Sequence, residues 1–374
     1  MPAGRDRVED GAPTSEQSRA YRRSMSLSSD AGIALSALSA RLRGRRVPLF
    51  VQVMPTERCN LRCRYCYAEF GPRRRPDFPL APLLRLVDGL ANLGTRVVMV
   101  AGGEPLLYPD LGKLVERIVG HGIICSVNTN GITLPARIEE VAKADMLSVS
   151  LDGPPALHDD YRGKGTYEKA RAAIFLARKR GLRVQIQFTL TRNLIETFRH
   201  VEGVAEEEGC LIGINFLRPQ ERADGSRREA AEAGDEEVRN FLLFLLREKP
   251  PALPYPPHLI RYVLRWPYGF GRHLIAEEKD LRGFRPIRCR AGDFLLAIDN
   301  AGDIFPCTKL FYVQKLGNCA DGDIERAYAA LPPLRCQSCL DLGTNIINDL
   351  LSFHPASALG LLRLWLRRSK AHHA

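Results

Sequence analysis

Residues 49–66 read LFVQVMPTERCNLRCRYC: an apolar, β-prone run, a proline, then three cysteines within eight residues. The run predicts a strand over 49–54, and the cysteines stand where that strand ends. Five further β-rich runs occur at 96–101, 123–128, 146–151, 184–190 and 212–217. Between them lie helical patterns near 79–93, 109–120, 135–144, 166–180 and 194–208, with one more at 235–247. Strands joined by helices run parallel, so the chain is of the α/β class, either a partial (β/α)6 TIM-like barrel or a doubly wound sheet. The residues at the C-terminal end of each strand favour the barrel. After the cysteines of the first come Gly102-Gly103-Glu104-Pro105 after the second and Asn128-Thr129-Asn130-Gly131 after the third. Ser150, Asp152 and Gly153 close the fourth, Thr189, Thr191 and Asn193 the fifth, and Arg218 the sixth. That rim of a parallel fold is where ligands bind, whereas polar residues scattered at random would fall equally at both ends.

The chain has 374 residues, 45% hydrophobic and 26% charged, which excludes wholesale disorder. There is no apolar run of about 18 residues and no signal-peptide core in the first thirty positions, so a cytoplasmic protein is expected. The net charge of +11 is unevenly placed: residues 1–46 carry +4, residues 351–374 another +4, and the 304 between them only +3. A groove for a phosphate backbone would have to be built from the two ends, which argues against nucleic acid as a partner.

Ten cysteines in such a chain point to metal or catalysis rather than to disulfides. Cys59, Cys63 and Cys66 form CX3CX2C. Three thiolates can hold three irons of a 4Fe–4S cluster and leave the fourth open to another ligand. A zinc site would need a fourth ligand from afar, since the next histidine is His121; zinc and coincidental thiols stand as the alternatives. Tyr65, beside the last of the three, could flank a planar base. A second group comprises Cys289, Cys307, Cys336 and Cys339, with a β-hairpin turning near Gly302 inside it. Cys125 and Cys210 read as core thiols, and Cys319 as either a substitute ligand or a buried small side chain.

The strand, CX3CX(aromatic)C and GGEP combination resembles the radical S-adenosylmethionine (radical SAM) superfamily over about residues 47–218. The resemblance implies that Cys59, Cys63 and Cys66 hold a SAM-binding 4Fe–4S cluster and that Gly102, Gly103, Glu104 and Pro105 meet the methionyl amino group. Asn128, Ser150 and Asp152 would lie near the ribose and carboxylate. Arg162, in HDDYRGKGTY, would join them or serve as a solubilising charge at a helix start. The second group resembles a twitch domain, a shortened SPASM domain, which implies one auxiliary 4Fe–4S cluster on Cys289, Cys307, Cys336 and Cys339; a zinc ribbon is the alternative. The implied enzyme cleaves SAM reductively to a 5′-deoxyadenosyl radical and takes hydrogen from an organic substrate. It would draw electrons from a partner such as flavodoxin or ferredoxin. A peptide, a small molecule and a lipid are all open as substrate, and a catalytically inactive iron–sulfur protein is the other reading. No leader-peptide-binding domain is recognised before residue 47, which lowers the peptide-maturase reading.

The implied layout is a polar, basic extension at 1–46, the core barrel at 47–218, a helical and Pro-rich connector at 219–286, the twitch domain at 287–342 and a basic tail at 343–374. His158 reads as an exposed turn residue and Arg73 to Arg75 as a solvated face. Tyr262, Trp266, Tyr268 and Phe270 read as packing or as a substrate mouth. In the tail, Ala358, Leu359, Leu362, Trp365 and Leu366 recur at helical spacing beside Arg363 and Arg367. Such a helix would dock on the barrel or touch an anionic membrane surface.

Overall fold

The computed structural model describes residues 36, 39–40, 43–66, 75–217, 220–221, 227–228, 233–275, 281, 283–311, 314–332, 334 and 336–352. Arg218, Arg73 and Arg74, and the basic helix expected in the tail lie outside the described residues.

Six parallel strands form the body of the fold: β1 (Phe50–Val53), β2 (Val97–Val100), β3 (Ile124–Thr129), β4 (Met146–Ser150), β5 (Val184–Leu190) and β6 (Leu211–Phe216). Each expected strand is present, as are the expected helices between them: α1 (Leu80–Leu93), α2 (Leu111–Gly120), α3 (Leu134–Val141), α5 (Thr166–Lys179) and α6 (Leu194–Glu208). Between these strands one helix was not foreseen. α4 (Pro155–Arg162) begins with proline at its first position, where the missing N–H costs nothing, and its polar sequence hides the helical period. The alternation along each strand explains the layering. Val51, Val53, Val98, Val100, Leu147, Val149, Ile186 and Phe188 face the helices and are fully or almost fully buried, packing on Leu83, Leu86, Leu90, Leu114 and Ile174. The alternate positions face the interior of the partial barrel.

The connector contains two-residue strands β7 (Gln220–Glu221) and β8 (Arg227–Arg228), helices α7 (Asp235–Glu248) and α8 (Pro257–Leu264), and β9 (Leu274–Ile275). Phe198 and Phe241, with ring centroids 5.5 Å apart, fix α7 against α6. The aromatics at 262–270 are packing: Trp266 and Phe270 are buried, and the Trp266 indole donates to the Arg272 carbonyl at 2.7 Å. Near the end of the chain come β10 (Leu295–Ile298), β11 (Asp303–Phe305), β12 (Gly317–Asn318), α9 (Ile324–Ala329), β13 (Ser338–Cys339) and α10 (Leu342–Leu351). The hairpin β10–β11 forms where expected and turns at Gly302, whose φ of +76° and close approach to Ala320 leave no room for a side chain. It also continues the barrel sheet, because β10 pairs in parallel with β1, Phe50 opposite Leu295 and Val53 opposite Ile298. The nine strands run β12-β11-β10-β1-β2-β3-β4-β5-β6, so β1 is interior and its cysteine loop opens between barrel and hairpin.

The other edge, β6, is covered by the Pro-rich segment. Ile212 N–H donates to the Ala252 carbonyl at 2.9 Å, and Ile214 N–H donates to the Tyr255 hydroxyl at 3.0 Å. These contacts occupy donors that an open edge would offer to another strand. Tyr255→Phe keeps the ring and removes the acceptor, leaving a buried N–H unpaired at a cost of about 1–3 kcal/mol. Thermal unfolding should shift down by a few degrees and amide exchange at Ile214 should quicken; an unchanged midpoint and exchange rate would show that the contact contributes nothing.

Candidate active site

The rim holds a cavity of about 300 Å³. On its wall stand Cys59, Cys63, Tyr65 and Cys66 from the loop after β1, Gly102, Gly103 and Glu104 after β2, and Asn128, Ser150 and Arg162. The structure therefore brings together most of the site residues expected from sequence. Pro105 and Asp152 are not on the wall: Pro105 opens a short 3-10 turn over 105–107, and Asp152 is bonded to the wall residues Tyr65 and Arg162 from behind. Sequence reasoning missed Gln52, Asn215, Thr308 and Lys309 as wall residues. The last two come directly after Cys307, a spacing that could have flagged them.

The loop after β1 is seated by backbone contacts. Gly103 N–H donates to the Thr56 carbonyl at 3.0 Å, and Glu104 N–H to the Arg58 carbonyl at 2.7 Å. A Cβ on Gly102 would fall 2.5 Å from the Thr56 oxygen, and one on Gly103 2.2 Å from the Arg58 oxygen. Both glycines are thus required by the chain's own packing. Glu104 is no solvated loop acid. It is buried, and its carboxylate accepts from Asn130 N–H at 2.8 Å, the Thr129 hydroxyl at 2.7 Å and Leu106 N–H at 3.1 Å. Burial nevertheless pushes its carboxyl up to about 7, against the pull of those hydrogen bonds.

Behind the wall, Asp152 is fully buried and gathers four elements. Its carboxylate accepts from the Arg162 guanidinium, from the Tyr65 hydroxyl and, at 3.1 Å, from Thr189 N–H. Burial alone would raise the carboxyl; the Arg162 charge outweighs it and holds it below the ordinary range. Arg162 closes α4 rather than opening a helix, and its side chain is only 9% exposed, which removes the solubilising reading. Its guanidinium also lies 5.4 Å from the Tyr65 ring centroid. Arg64 joins the same helix, its N–H donating to the Tyr161 carbonyl at 2.8 Å and its side chain pairing with Asp160 at 2.7 Å. His158 corrects the expectation of an exposed turn. It is 1% exposed, its Nδ1 accepts from Asp152 N–H at 3.2 Å, and burial depresses it to about 4, so it is a neutral support. Arg75 is partly solvated, its side chain 42% exposed, and it also pairs with buried Asp299 at 2.9 Å.

The cysteines form two sets. Burial pushes the Cys59 thiol up to about 12 and raises that of Cys63, so these groups ionise readily only beside a positive charge. In the second set, Cys289 and Cys336 share a sulfur hydrogen bond that lowers the first and raises the second. Cys339 is raised by burial, with Cys289 and Cys307 close enough to add to the effect. Cys319 stands apart in the core, its thiol donating to the Gly302 carbonyl at 3.4 Å, and Cys125 and Cys210 are buried as expected. Among the described residues, no three His, Cys, Asp or Glu side chains converge on a single metal position. Lys309, on the cavity wall, pairs with buried Asp341 at 2.6 Å. Asp341 also caps α10 through Thr344 N–H at 2.8 Å, so the pair ties Cys307's turn to the segment after Cys339.

Comparison with known proteins agrees with this geometry. Residues 53–206 match the model of the radical SAM superfamily. The chain is 30% identical to an AdoMet-dependent heme synthase of Nitratidesulfovibrio vulgaris over 50% of its length, and it spans about half, 53%, of that relative. It is 26% identical to the mycofactocin maturase MftC of Mycobacterium tuberculosis, covering 71% of this chain and 66% of that one. The fold is similar to that of Streptococcus suis SuiB bound to S-adenosylmethionine, with a TM-score of 0.59 at 18% identity over 80% of this chain and 69% of the other. The three-cysteine loop, the glycine pair beside it and strands β2 to β5 fall within residues 53–206, over which this chain contains a radical SAM superfamily domain.

Proposed function

We propose that this chain is a radical SAM enzyme that abstracts hydrogen from an organic substrate in the cavity between its two cysteine sets. The observation that carries the proposal is the shared wall: Cys59, Cys63, Cys66 and Glu104 line the same cavity as Thr308 and Lys309, which directly follow Cys307. The donor chemistry fits the groups concerned. A 4Fe–4S cluster takes one thiolate per iron, so its ligands surround a volume rather than meet at a point, whereas zinc asks for four ligands at about 2.0–2.3 Å from one centre. The three-cysteine loop would hold the SAM-binding cluster, and Cys289, Cys307, Cys336 and Cys339 an auxiliary one. Reductive cleavage of SAM supplies a 5′-deoxyadenosyl radical that takes a hydrogen atom from the substrate.

The protein's own residues have separable tasks in this reading. Gly102 and Gly103 hold the cysteine loop against β2 by close backbone approach. Glu104 fixes the turn after β3 and brings negative charge beside the loop, suited to an amino group. Arg162, held by Asp152, and Ser150 present hydrogen-bond donors to a carboxylate. Tyr65 keeps the end of the cysteine loop on Asp152. The auxiliary side is one residue from the cavity at Thr308, which suits exchange of an electron with bound substrate. A peptide, as the maturase relative's name suggests, and a small molecule both remain open as substrate, and a flavodoxin or ferredoxin would serve as reductant.

Anaerobically reconstituted protein should hold about eight irons per chain, and a variant with Cys59, Cys63 and Cys66 all changed to Ala should hold about four. With SAM and a strong reductant, the wild type should release 5′-deoxyadenosine and that variant none. Zinc in place of the second set of irons would remove the auxiliary cluster from the account.

Glu104 gives a separate, pH-dependent outcome. Its folded-state value near 7 stands above the ordinary 4.5, so the folded protein retains a proton that the unfolded chain has lost. Stability should therefore fall as pH rises between about 4.5 and 7. Glu104→Gln should flatten that part of the profile of thermal midpoint against pH; identical slopes in both proteins would mean that Glu104 titrates normally.

A further inference from the structure

The sequence of α10, LGTNIINDLL, places two carboxamides three residues apart and so on one face, and both are fully buried. That face meets the second cysteine set. Asn345 Nδ2 donates to the Cys339 carbonyl at 2.7 Å, and Asn348 Oδ1 accepts at 3.0 Å from the N–H of Arg290, the residue after Cys289. Cys289 N–H in turn donates at 2.8 Å to the carbonyl of Gln337, which stands between Cys336 and Cys339. The helix is clamped at both ends. Asp341 caps its first turn and pairs with Lys309, and near its last turn the Asp349 carboxylate lies 2.8 Å from His258 Nε2 on α8.

The other end of Asn348 is left over. Its Nδ2 is enclosed and has no hydrogen-bond partner, which is costly and uncommon for a buried donor. Its orientation is settled, because Arg290 N–H can only donate and therefore takes the oxygen end of the amide. The nitrogen end is thereby kept beside the Cys289 sulfur, close enough to favour the thiolate together with the N–H groups of Ala291 and Arg290. A neutral thiol is a weak acceptor, whereas a thiolate that keeps its charge on a metal is a strong one.

We infer that Asn348 donates to the Cys289 thiolate of the auxiliary cluster and holds that cluster at a higher reduction potential than its four thiolates alone would set. The inference rests on the reading of Cys289, Cys307, Cys336 and Cys339 as cluster ligands. Its cause is electrostatic: reduction adds negative charge that the sulfurs share, so a donor aimed at one of them stabilises the reduced form more than the oxidised one. Asn348 touches no substrate and acts through Cys289, as a positioning residue. It favours uptake of one electron on this side of the cavity over its release.

The test is a potentiometric titration of the reconstituted full chain followed by EPR, in which SAM alters the signal of the first cluster and so marks the other as the one to measure. Asn348→Leu fills the space and removes the donor. At a fixed potential the reduced-to-oxidised ratio of the auxiliary cluster should fall about tenfold, a midpoint about 59 mV lower for one electron, while the first cluster's midpoint stays in place. Asn345→Leu controls for loss of a buried amide, since its Nδ2 serves a carbonyl rather than a sulfur, and should change the ratio less than about twofold. An auxiliary midpoint that Asn348→Leu leaves in place or raises, or an equal fall in both variants, overturns the inference. Should Asn348→Leu fail to take up its iron, wild-type protein labelled with 15N only at asparagine side-chain amides decides. Pulsed EPR of its reduced auxiliary cluster should show a 15N coupling, and absence of that coupling overturns the inference. Metal is counted separately: about eight irons per chain with an unmoved midpoint rejects the inference alone, whereas zinc or no metal at the second set removes it together with the cluster reading.

Discussion

The buried carboxylate of Asp152 is the contact on which the arrangement of the rim depends. It lies at the end of β4, receives Thr189 of β5, Arg162 of α4 and Tyr65 of the cysteine loop, and is fully enclosed. A buried charge of this kind is tolerated only when its partners are complete. Each partner is therefore fixed in place by the others: Arg162 is drawn to the cavity wall, and the last turn of the cysteine loop is kept from lifting off. His158 completes the shell by accepting the Asp152 N–H as a neutral ring.

A second constraint acts from the opposite side of the loop. Gly102 and Gly103 let β2's extension lie against Thr56 and Arg58, with Glu104 anchored beneath. The cysteine loop is thus held at both ends, by backbone at Thr56 and Arg58 and by side chains at Arg64 and Tyr65. The hairpin then adds to β1 in parallel, which carries Thr308 and Lys309, the two residues after Cys307, to the wall of the same cavity. The nine-stranded sheet thus positions the first cysteine set and Cys307, whereas Cys339 lies on the separate β9–β13 pair. The Lys309–Asp341 pair braces the turn after Cys307 against α10.

Much of this was legible before folding. The six strands show in sequence because their helix-facing positions are aliphatic and regularly spaced, and the rim residues show because each comes directly after a strand. Cys125 and Cys210 could be set aside because isolated thiols beside strands are usually core, whereas Cys319 stayed open as a substitute ligand until the fold placed it in the core on the Gly302 carbonyl. What was hidden depends on contacts between distant segments. Nothing near 155–162 announces α4, since its prolines and acids mask the period, and a solubilising charge at a helix start consequently stayed open for Arg162 beside its role in the site. His158 looked exposed for the same reason. The pairing of β10 with β1 joins segments about 245 residues apart and leaves no local mark. The polar inward positions were present in the alternation of Ser126, Asn128, Ser148 and Ser150, but only the sheet register sets Asn128 opposite Ser148 and Ser150 opposite Gln187.

The central claim is that the two cysteine sets hold distinct iron clusters and that only the first presents an iron to SAM. Mössbauer spectroscopy of protein reconstituted with 57Fe, recorded with and without SAM, tests it most directly. About one iron in eight should change its isomer shift and quadrupole splitting on addition of SAM, the rest keeping the parameters of fully thiolate-ligated sites. A spectrum that SAM leaves unaltered, or one in which irons of both clusters respond, would contradict the account.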